Sequence, residues 1–252
     1  MTVASRLDAV PAAPMQPGVH MAFSGARTGN MALTVGDSDL QARVRLARSV
    51  GAHLDDLVCM QQVHGGSVAV VGTVDRGRGV ADHTDAIEAV DALVTFDPGV
   101  ALVVLVADCV PVLLHDGDRA VAAVHAGRGG VVAGVVGAAL RAMAPASVQA
   151  ISATIGPSIG GCCYEVEAEL ADRISGDLPA ARAMTTWGTP SLDLAAAVAS
   201  QLQRIGVHDI RRAGGCTRCD ERWFSHRRAP GQGRQAGIVV RWESTTAPGA
   251  PV

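Results

Sequence analysis

Short valine-rich runs, several of them apolar on both faces, constrain the fold of this chain more than any other feature. Glycine or aspartate bounds them, which is typical of β-strands. Strict alternation of apolar and polar residues would leave one face of a strand exposed to water. These runs instead need other elements packed against both faces. The runs are Ser67–Thr73, Ala92–Phe96, Ala101–Ala107, Val110–His115, Ala120–His125, Ile151–Ile155 and Gly237–Trp242.

Three other segments repeat their apolar residues with the period of an α-helix. They are Asp39–Val50, Val131–Met143 and Leu192–Ile205. The apolar stripe of the second comprises Val131, Val132, Val135, Val136, Leu140 and Met143. Asp193 or Ser191 is placed to cap the third. Because strands and helices alternate without a strict βαβ repeat, we predict an α/β or α+β sandwich with mixed sheets.

The length and composition indicate one domain with a large aliphatic core. The chain has 252 residues, of which 48% are hydrophobic and only 3% aromatic, so the core must consist of valine, alanine, leucine and isoleucine. We expect residues 1–18 to form a loose, proline-containing leader and residues 245–252 a loose tail. Residues 19–244 are then a single domain.

Charge and apolar runs argue against nucleic-acid and membrane partners. The net charge is -3, which offers no large field for nucleic acid or an anionic membrane. The longest apolar run, Val100–Ala107, is too short to span a bilayer, and the N-terminus lacks a signal-peptide core. We therefore expect a cytoplasmic protein whose six cysteines are thiols rather than disulfides. Because no apolar stripe is left over for an interface, we also expect a monomer.

Three junctions between an apolar run and a polar or glycine-rich break carry side chains that bind metals. They are QVHG (62–65), ADCV (107–110) and VHAG (124–127), which contain His64, Cys109 and His125. Two imidazoles and a thiolate are a typical zinc donor set, and three protein ligands leave a fourth position open, as in catalytic sites. Spacing alone leaves a buried thiol, a core histidine and a surface histidine as alternatives.

A series of longer motifs resembles the laccase-domain family, also called the polyphenol-oxidase-like or peptidoglycan-editing-factor family. The resemblance covers about residues 20–242. Its motifs, in chain order, are QVHG (62–65), DALVT (91–95), ADCVPVLL (107–114), AVHAG (123–127), IGPSIGGCCYEV (155–166), LDL (192–194), CT (216–217), FSHRR (224–228) and GRQAG (233–237).

The resemblance implies a specific chemistry and fold. The family's zinc ligands fall on His64, Cys109 and His125. Its fold is similar to cytotoxic necrotizing factor catalytic domains, a layered α-β-β-α sandwich. Its substrates are purine nucleosides (adenosine, inosine and methylthioadenosine) with phosphate, and it also deaminates adenosine. Some members are tied to fidelity of cell-wall precursor synthesis, and older descriptions made them copper-dependent polyphenol oxidases.

Four further residues are candidates for substrate binding or catalysis. Arg27 and Asn30 match the family's arginine and asparagine in a shortened N-terminal segment, and the guanidinium of Arg27 suits a phosphate or ribose. Arg128 lies where many relatives carry Trp-Arg, here replaced by Gly-Arg-Gly-Gly over 127–130. Asp108, beside Cys109, is a candidate to orient a water molecule or a ligand histidine, or else a structural residue.

Two sequence features allow more than one interpretation. Cys216 and Cys219 form a CxxC motif that suits a structural metal or a redox pair. A structural metal would need two more ligands. Cys162 and Cys163 are adjacent, and adjacent cysteines rarely both point at one ion, so the sequence favours ordinary thiols at these positions. The basic segment 224–228 either contacts an anionic substrate or forms a solvated turn.

Three rival functions remain open at this point. A copper oxidase is the first, although the eight histidines include no HxH pair of the kind that multicopper laccases use. The second is a cysteine hydrolase with Cys109 as nucleophile and His125 as base. The third is a non-enzymatic module that binds a partner enzyme of cell-wall synthesis.

Overall fold

Two mixed β-sheets form the centre of the computed structural model, which describes residues 10–11, 18–117 and 119–243. The strands of this part are β1 (Val10–Pro11), β2 (Val19–Phe23), β3 (Leu57–Val58), β4 (Val68–Val71), β5 (Ala92–Thr95), β6 (Ala101–Val106), β7 (Val110–Asp116), β8 (Ala120–Ala126), β9 (Ile151–Ile155), β10 (Arg182–Met184), β11 (Pro190–Leu192), β12 (Asp209–Arg212) and β13 (Gln235–Arg241). The α-helices are α1 (Leu40–Ser49), α2 (Arg128–Val132), α3 (Val135–Met143), α4 (Ala168–Asp177) and α5 (Leu194–Ile205).

The sheet topology combines parallel and antiparallel pairs. One sheet has the order β1-β2-β13-β6-β3 and the other β12-β9-β7-β8-β5-β4, while β10 and β11 form a separate hairpin. The pairs β3–β6, β4–β5 and β9–β12 are parallel, and the remaining pairs are antiparallel. This confirms the predicted mixed α/β fold.

Most of the valine-rich runs are covered on both faces, as predicted, but Val70 of the edge strand β4 is 58% exposed. On β7 and β8, Leu113, Val121 and Ala123 belong to a core cluster shared with residues of β2, β6 and β13 from the other sheet. Their alternate neighbours, such as Val112 and Val124, belong to a second cluster with residues of α3, α4 and α5. A third cluster packs α1 against the first sheet. Alternate residues of β7 and β8 point to opposite faces of the sheet, so one face packs against the other sheet and the opposite face packs against the helices.

The helices follow the sequence predictions except at one glycine and one missed element. Asp39 caps α1 and Asp193 caps α5, each accepting a hydrogen bond from a backbone amide three residues later (3.1 and 2.8 Å). Gly134, at φ +73°, divides the predicted helix 131–143 into α2 and α3. This turn leaves Val132 outside the expected apolar stripe, 55% exposed. Helix α4 was not predicted.

The predicted leader and tail lie almost wholly outside the described residues. The exception is β1, whose backbone pairs with β2 in the register Val10↔Phe23. Among the described residues, none of the helices has the length and apolar character needed to cross a bilayer.

Candidate metal centre

Sheet register brings the three predicted metal ligands to one edge of the second sheet. In the β7–β8 pair Pro111 lies opposite His125, so Cys109 ends up beside the His125–Gly127 segment. In the β5–β8 pair Ala92 lies opposite Val124. His64 approaches from the loop that precedes β4, the neighbour of β5. Three residues that are far apart in sequence thus meet where their strands begin or end.

The donor atoms of His64, Cys109 and His125 all lie within 4.8 Å of one another. The two imidazole rings meet edge to face, with centroids 4.7 Å apart and an interplanar angle of 83°. Tetrahedral zinc would separate such nitrogen and sulfur atoms by about 3.3–3.8 Å. His125 is buried, Cys109 is half-buried and His64 is exposed. We call this group the His–Cys–His site.

Asp91 organises the His–Cys–His site from behind. Its fully buried carboxylate accepts hydrogen bonds from Nδ1 of His125 (2.7 Å) and from the backbone amides of His64 (2.9 Å) and Gly65 (2.6 Å). Because His125 donates through Nδ1, the lone pair of its Nε2 is left for the site. Sequence reasoning did not single out Asp91, although it begins the DALVT motif.

The electrostatics of the site favour anionic groups around a cation. Burial opposes ionisation of Asp91, but hydrogen bonds from His125 and from the Gly65 amide hold the pKa of its carboxyl below the ordinary value. Burial likewise opposes the Cys109 thiolate, yet His125 and His64 lower the pKa of this thiol to about 6. Against burial, Asp91 and Cys109 raise the pKa of His125 to about 9. Without an ion, a thiolate and a carboxylate therefore lie beside a protonated His125 at neutral pH, and a bound metal would take the place of the proton on its Nε2.

Gly127 leaves the space that an ion would need. A Cβ atom at this position would lie 2.7 Å from Cδ2 of His64, 3.3 Å from Sγ of Cys109 and 3.4 Å from Cε1 of His125. The backbone of Gly127 is ordinary extended chain, at φ -69° and ψ 170°, so the requirement for glycine is steric rather than conformational. The donor set and this space both fit zinc.

A cavity of about 720 Å³ opens onto the His–Cys–His site. This volume is in the range that encloses a nucleoside-sized ligand. Three arginines, Arg128, Arg227 and Arg234, line the cavity. Its remaining wall is partly apolar and partly histidine or tyrosine, including Leu33, Met60, His83, Leu105, Val106, Tyr164 and His226. The cavity therefore combines the metal donors with arginines that can bind an anion and with an apolar surface.

Asp108 lines the cavity, and its carboxylate is held by residues other than the candidate metal ligands. Its Oδ1 accepts a hydrogen bond from the Thr217 hydroxyl (2.6 Å), and its Oδ2 accepts one from the backbone amide of Arg227 (2.7 Å). Among the described hydrogen bonds, the carboxylate that holds a ligand histidine is that of Asp91. Asp108 lies in a turn at φ +85° and anchors two segments of the cavity wall.

Of the three predicted substrate-binding residues, one lines the cavity. Arg128 does so from the first turn of α2. Arg27 is exposed in a short 3₁₀ turn and is absent from the lining. Asn30 is buried behind the wall, where its Nδ2 donates to the Val35 carbonyl (2.5 Å) and its Oδ1 accepts from the Arg234 amide (2.9 Å). The first of these hydrogen bonds holds the loop that contains Val35, a residue of the cavity lining.

The basic segment 224–228 contributes to the cavity and also supports it. His226 and Arg227 line the cavity, and the guanidinium of Arg227 lies 5.0 Å from the centroid of the Tyr164 ring. Arg228 turns inward and donates to the carbonyls of Thr217 and Trp223, both at 2.5 Å. Arg227 therefore borders the cavity, whereas Arg228 ties neighbouring stretches of backbone together.

The chain is similar in sequence and fold to several known proteins. A purine nucleoside phosphorylase of Streptomyces coelicolor is 49% identical over 196 residues, 77% of this chain and 78% of that protein. The adenosine deaminase RL5, from an unknown prokaryote, is 36% identical over 222 residues, 82% of this chain and 83% of that protein. The crystal structure of YlmD from Geobacillus stearothermophilus has a TM-score of 0.83 at 33% identity, covering 92% of this chain and 94% of that one.

The family model described as multi-copper polyphenol oxidoreductase laccase matches residues 18–242, nearly the same span as the motif resemblance. All of the motifs that carry this resemblance lie within the match. Relatives of this kind are named both for nucleoside phosphorolysis and for adenosine deamination, which supports an enzyme that processes nucleosides. The chain belongs to the multi-copper polyphenol oxidoreductase laccase family, the laccase-domain family of the sequence analysis.

Proposed function

We propose that this protein is a zinc-dependent purine nucleoside phosphorylase that accepts adenosine, inosine and methylthioadenosine and also deaminates adenosine. One observation carries the proposal: the His–Cys–His site and three arginines line the same cavity. Phosphorolysis needs an anion site beside the sugar and a way to stabilise and protonate the departing base. The names of the relatives agree with this chemistry.

The donor set favours zinc over the copper suggested by the family's descriptive name. His64, Cys109 and His125 would hold the ion, and these donors match open catalytic zinc sites. When bound, zinc would act as a Lewis acid toward a substrate atom. Asp91 fixes the tautomer of His125 and the backbone around His64. Metal analysis of purified protein checks the identity of the ion, with zinc and no intense blue absorption expected.

Arg128, Arg227 and Arg234 are proposed to bind phosphate. Guanidinium groups donate paired hydrogen bonds that suit phosphate oxygens. Two of them are held by their backbones: the Arg227 amide donates to Asp108 and the Arg234 amide to Asn30. These contacts fix the backbone from which the side chains of Arg227 and Arg234 extend. The anion site is therefore partly formed before phosphate binds.

The rest of the cavity suits the nucleoside. Met60, Leu105 and Val106 offer an apolar surface for the purine, and the ring of Tyr164 can stack on it. His83 and His226 also line the cavity, and histidine can give or take a proton near neutral pH. We assign proton transfer to the departing purine to one of these two residues.

Product analysis with and without phosphate tests the proposed function. Metal-replete protein incubated with adenosine, inosine or methylthioadenosine should release free base only when phosphate is present. Ammonia released from adenosine without phosphate would identify the deaminase activity. The matched control is Cys109→Ser, which keeps the fold but removes a donor. Absence of turnover for all three nucleosides would refute the proposal.

Replacing Arg128 with methionine should raise the KM for phosphate roughly 10- to 100-fold, since a hydrogen bond to a charged group is lost. The KM for inosine at saturating phosphate should change much less. Initial rates over a phosphate series measure both constants. Arg182→Met is the control, because Arg182 pairs with Asp172 at the surface and does not line the cavity. An unchanged phosphate KM would remove Arg128 from the anion site.

A cysteine hydrolase is a second candidate, favoured by one specific arrangement. Asp91 holds Nδ1 of His125, and His125 lowers the pKa of the Cys109 thiol, as in a nucleophile–base–orienter set. Such an enzyme keeps its activity in a strong chelator. The zinc phosphorylase loses its activity there and recovers it when zinc is restored. Alkylation of Cys109 would inactivate either enzyme, so sensitivity to the chelator is the measurement that distinguishes the two.

We also infer a layered α-β-β-α arrangement from the three core clusters, one between the sheets and one between each sheet and its helices. The likeness to cytotoxic necrotizing factor domains, the single-domain boundaries 19–244 and the monomeric state stay predictions. The same holds for the link to cell-wall precursor fidelity.

A further inference from the structure

Four of the six cysteines lie close together at a second site, outside the cavity lining. The Sγ atoms of Cys162, Cys163, Cys216 and Cys219 all lie within 4.8 Å of one another. Individual separations are 3.7 Å for Cys162–Cys163, 3.8 Å for Cys162–Cys219 and 3.3 Å for Cys163–Cys219. All four are free thiols. We call this group the four-cysteine cluster.

These separations match a metal site better than a disulfide. Four thiolates around one tetrahedral zinc ion lie about 3.8 Å apart, because each Zn–S bond is about 2.3 Å. A disulfide needs sulfur atoms at about 2.05 Å and joins only two of the four. The adjacent Cys162 and Cys163 were expected to point apart. The turn that contains them brings both sulfur atoms to the same point.

Backbone contacts hold the cluster in place. Cys216 forms a parallel bridge with Ser158, and the Thr217 amide donates to the Ser158 carbonyl (3.0 Å). The Gly160 amide donates to Sγ of Cys216 at 3.3 Å. Amide hydrogen bonds to a ligand sulfur are characteristic of thiolate metal sites. The two halves of the cluster are thus fixed to each other by their main chains.

Gly160 keeps the space beside the sulfur atoms open. A Cβ atom there would lie 3.3 Å from Sγ of Cys162 and 3.8 Å from Sγ of Cys216. Cys163 is buried, Cys162 and Cys216 are half-buried and Cys219 is exposed. The cluster therefore has a protected interior with one ligand at the surface, which gives an ion a route in.

We propose that the four-cysteine cluster binds a structural zinc ion that joins the 160–164 turn to the 216–219 turn. Each turn leads directly into the cavity wall. Tyr164, which follows Cys163, lines the cavity, and Thr217 donates its hydroxyl to Asp108 (2.6 Å). The zinc braces this side of the wall and takes no part in the reaction. The proposal does not depend on which reaction the cavity catalyses.

Zinc stoichiometry tests the proposal without an activity assay. Wild-type protein, purified under reducing conditions, should contain two zinc ions per chain, and Cys216→Ser/Cys219→Ser should contain one. Cys109→Ser should also lose one ion, from the His–Cys–His site. Cys59→Ala is the control and should keep both, since Cys59 is buried away from the cluster beside Arg43.

Measurements on the unmutated protein cover the case in which the double variant does not fold. Cobalt substitution should give intense sulfur-to-cobalt charge-transfer absorption of a four-thiolate site. Stepwise modification with a mercurial should release the second zinc as four thiols react. Zinc at one ion per chain, bound by the His–Cys–His site alone, would overturn the proposal. So would a denatured mass two or four daltons below the reduced value, which identifies disulfides.

Discussion

Gly127→Ala should fold normally and bind zinc at the His–Cys–His site about 100-fold more weakly, because the new methyl group occupies the space between the donors. The Cβ atom would lie 2.7 Å from Cδ2 of His64, closer than non-bonded carbons approach. His64 is exposed, so its ring can swing away at little cost to folding. Its donor nitrogen then leaves the position that an ion requires.

Competition with a chromophoric chelator measures this loss of affinity, and nucleoside turnover at limiting zinc should fall in parallel. The control is Gly176→Ala in α4, where an added Cβ meets nothing within 4 Å. Thermal unfolding of the metal-stripped proteins should agree to within a few degrees. If Gly127→Ala binds zinc as tightly as the wild type, the ion does not lie among His64, Cys109 and His125.

The fold was predictable wherever burial sets the pattern. Runs apolar on both faces became β5 to β8 and β13, because each face of these strands packs on a different core cluster. Helix α4 escaped prediction because four of its ten residues are charged and its buried face is short, with Ala171 and Ile174 as its buried apolar residues. Gly134 broke the second helix through its positive φ, which periodicity does not encode.

The site was predictable where chemistry alone marks a residue. His64, Cys109 and His125 stand out as donors beside strand ends, and the structure brings them together. Asp91 was missed because a carboxylate before an apolar strand looks like any strand boundary, and only the β5–β8 register shows that it faces His125. Motif order says nothing about which side of a loop faces the cavity, so it could not show that Asn30 and Arg27 lie outside the cavity lining.

The four-cysteine cluster shows the same limit for long-range contacts. The CxxC motif of Cys216 and Cys219 suggested a metal, but its partners lie more than fifty residues earlier and next to each other. Whether two distant turns meet depends on the Ser158–Cys216 bridge and the parallel β9–β12 pair. Neither is visible in residue spacing.

Asp91→Asn should weaken zinc binding at the His–Cys–His site by about 10- to 100-fold and lower the free energy of unfolding by about 3 kcal/mol. The carboxylate accepts hydrogen bonds on both oxygens, from His125 and from the amides of His64 and Gly65. An asparagine of the same shape turns one oxygen into an NH₂ group that faces a donor. A buried donor then loses its partner, and His125 loses the contact that sets its tautomer.

Two measurements on one matched pair separate the metal effect from the stability effect. Asp56→Asn is the control, because Asp56 is also buried and accepts hydrogen bonds from Arg76 and the His53 amide, yet it does not line the cavity. Denaturant unfolding of metal-stripped protein should show both variants destabilised, whereas chelator competition should show weakened zinc binding for Asp91→Asn alone. Equal zinc affinity in the two variants would mean that Asp91 supports the fold and does not position the ligands, since only a residue that orients His125 and His64 can change affinity beyond its effect on stability.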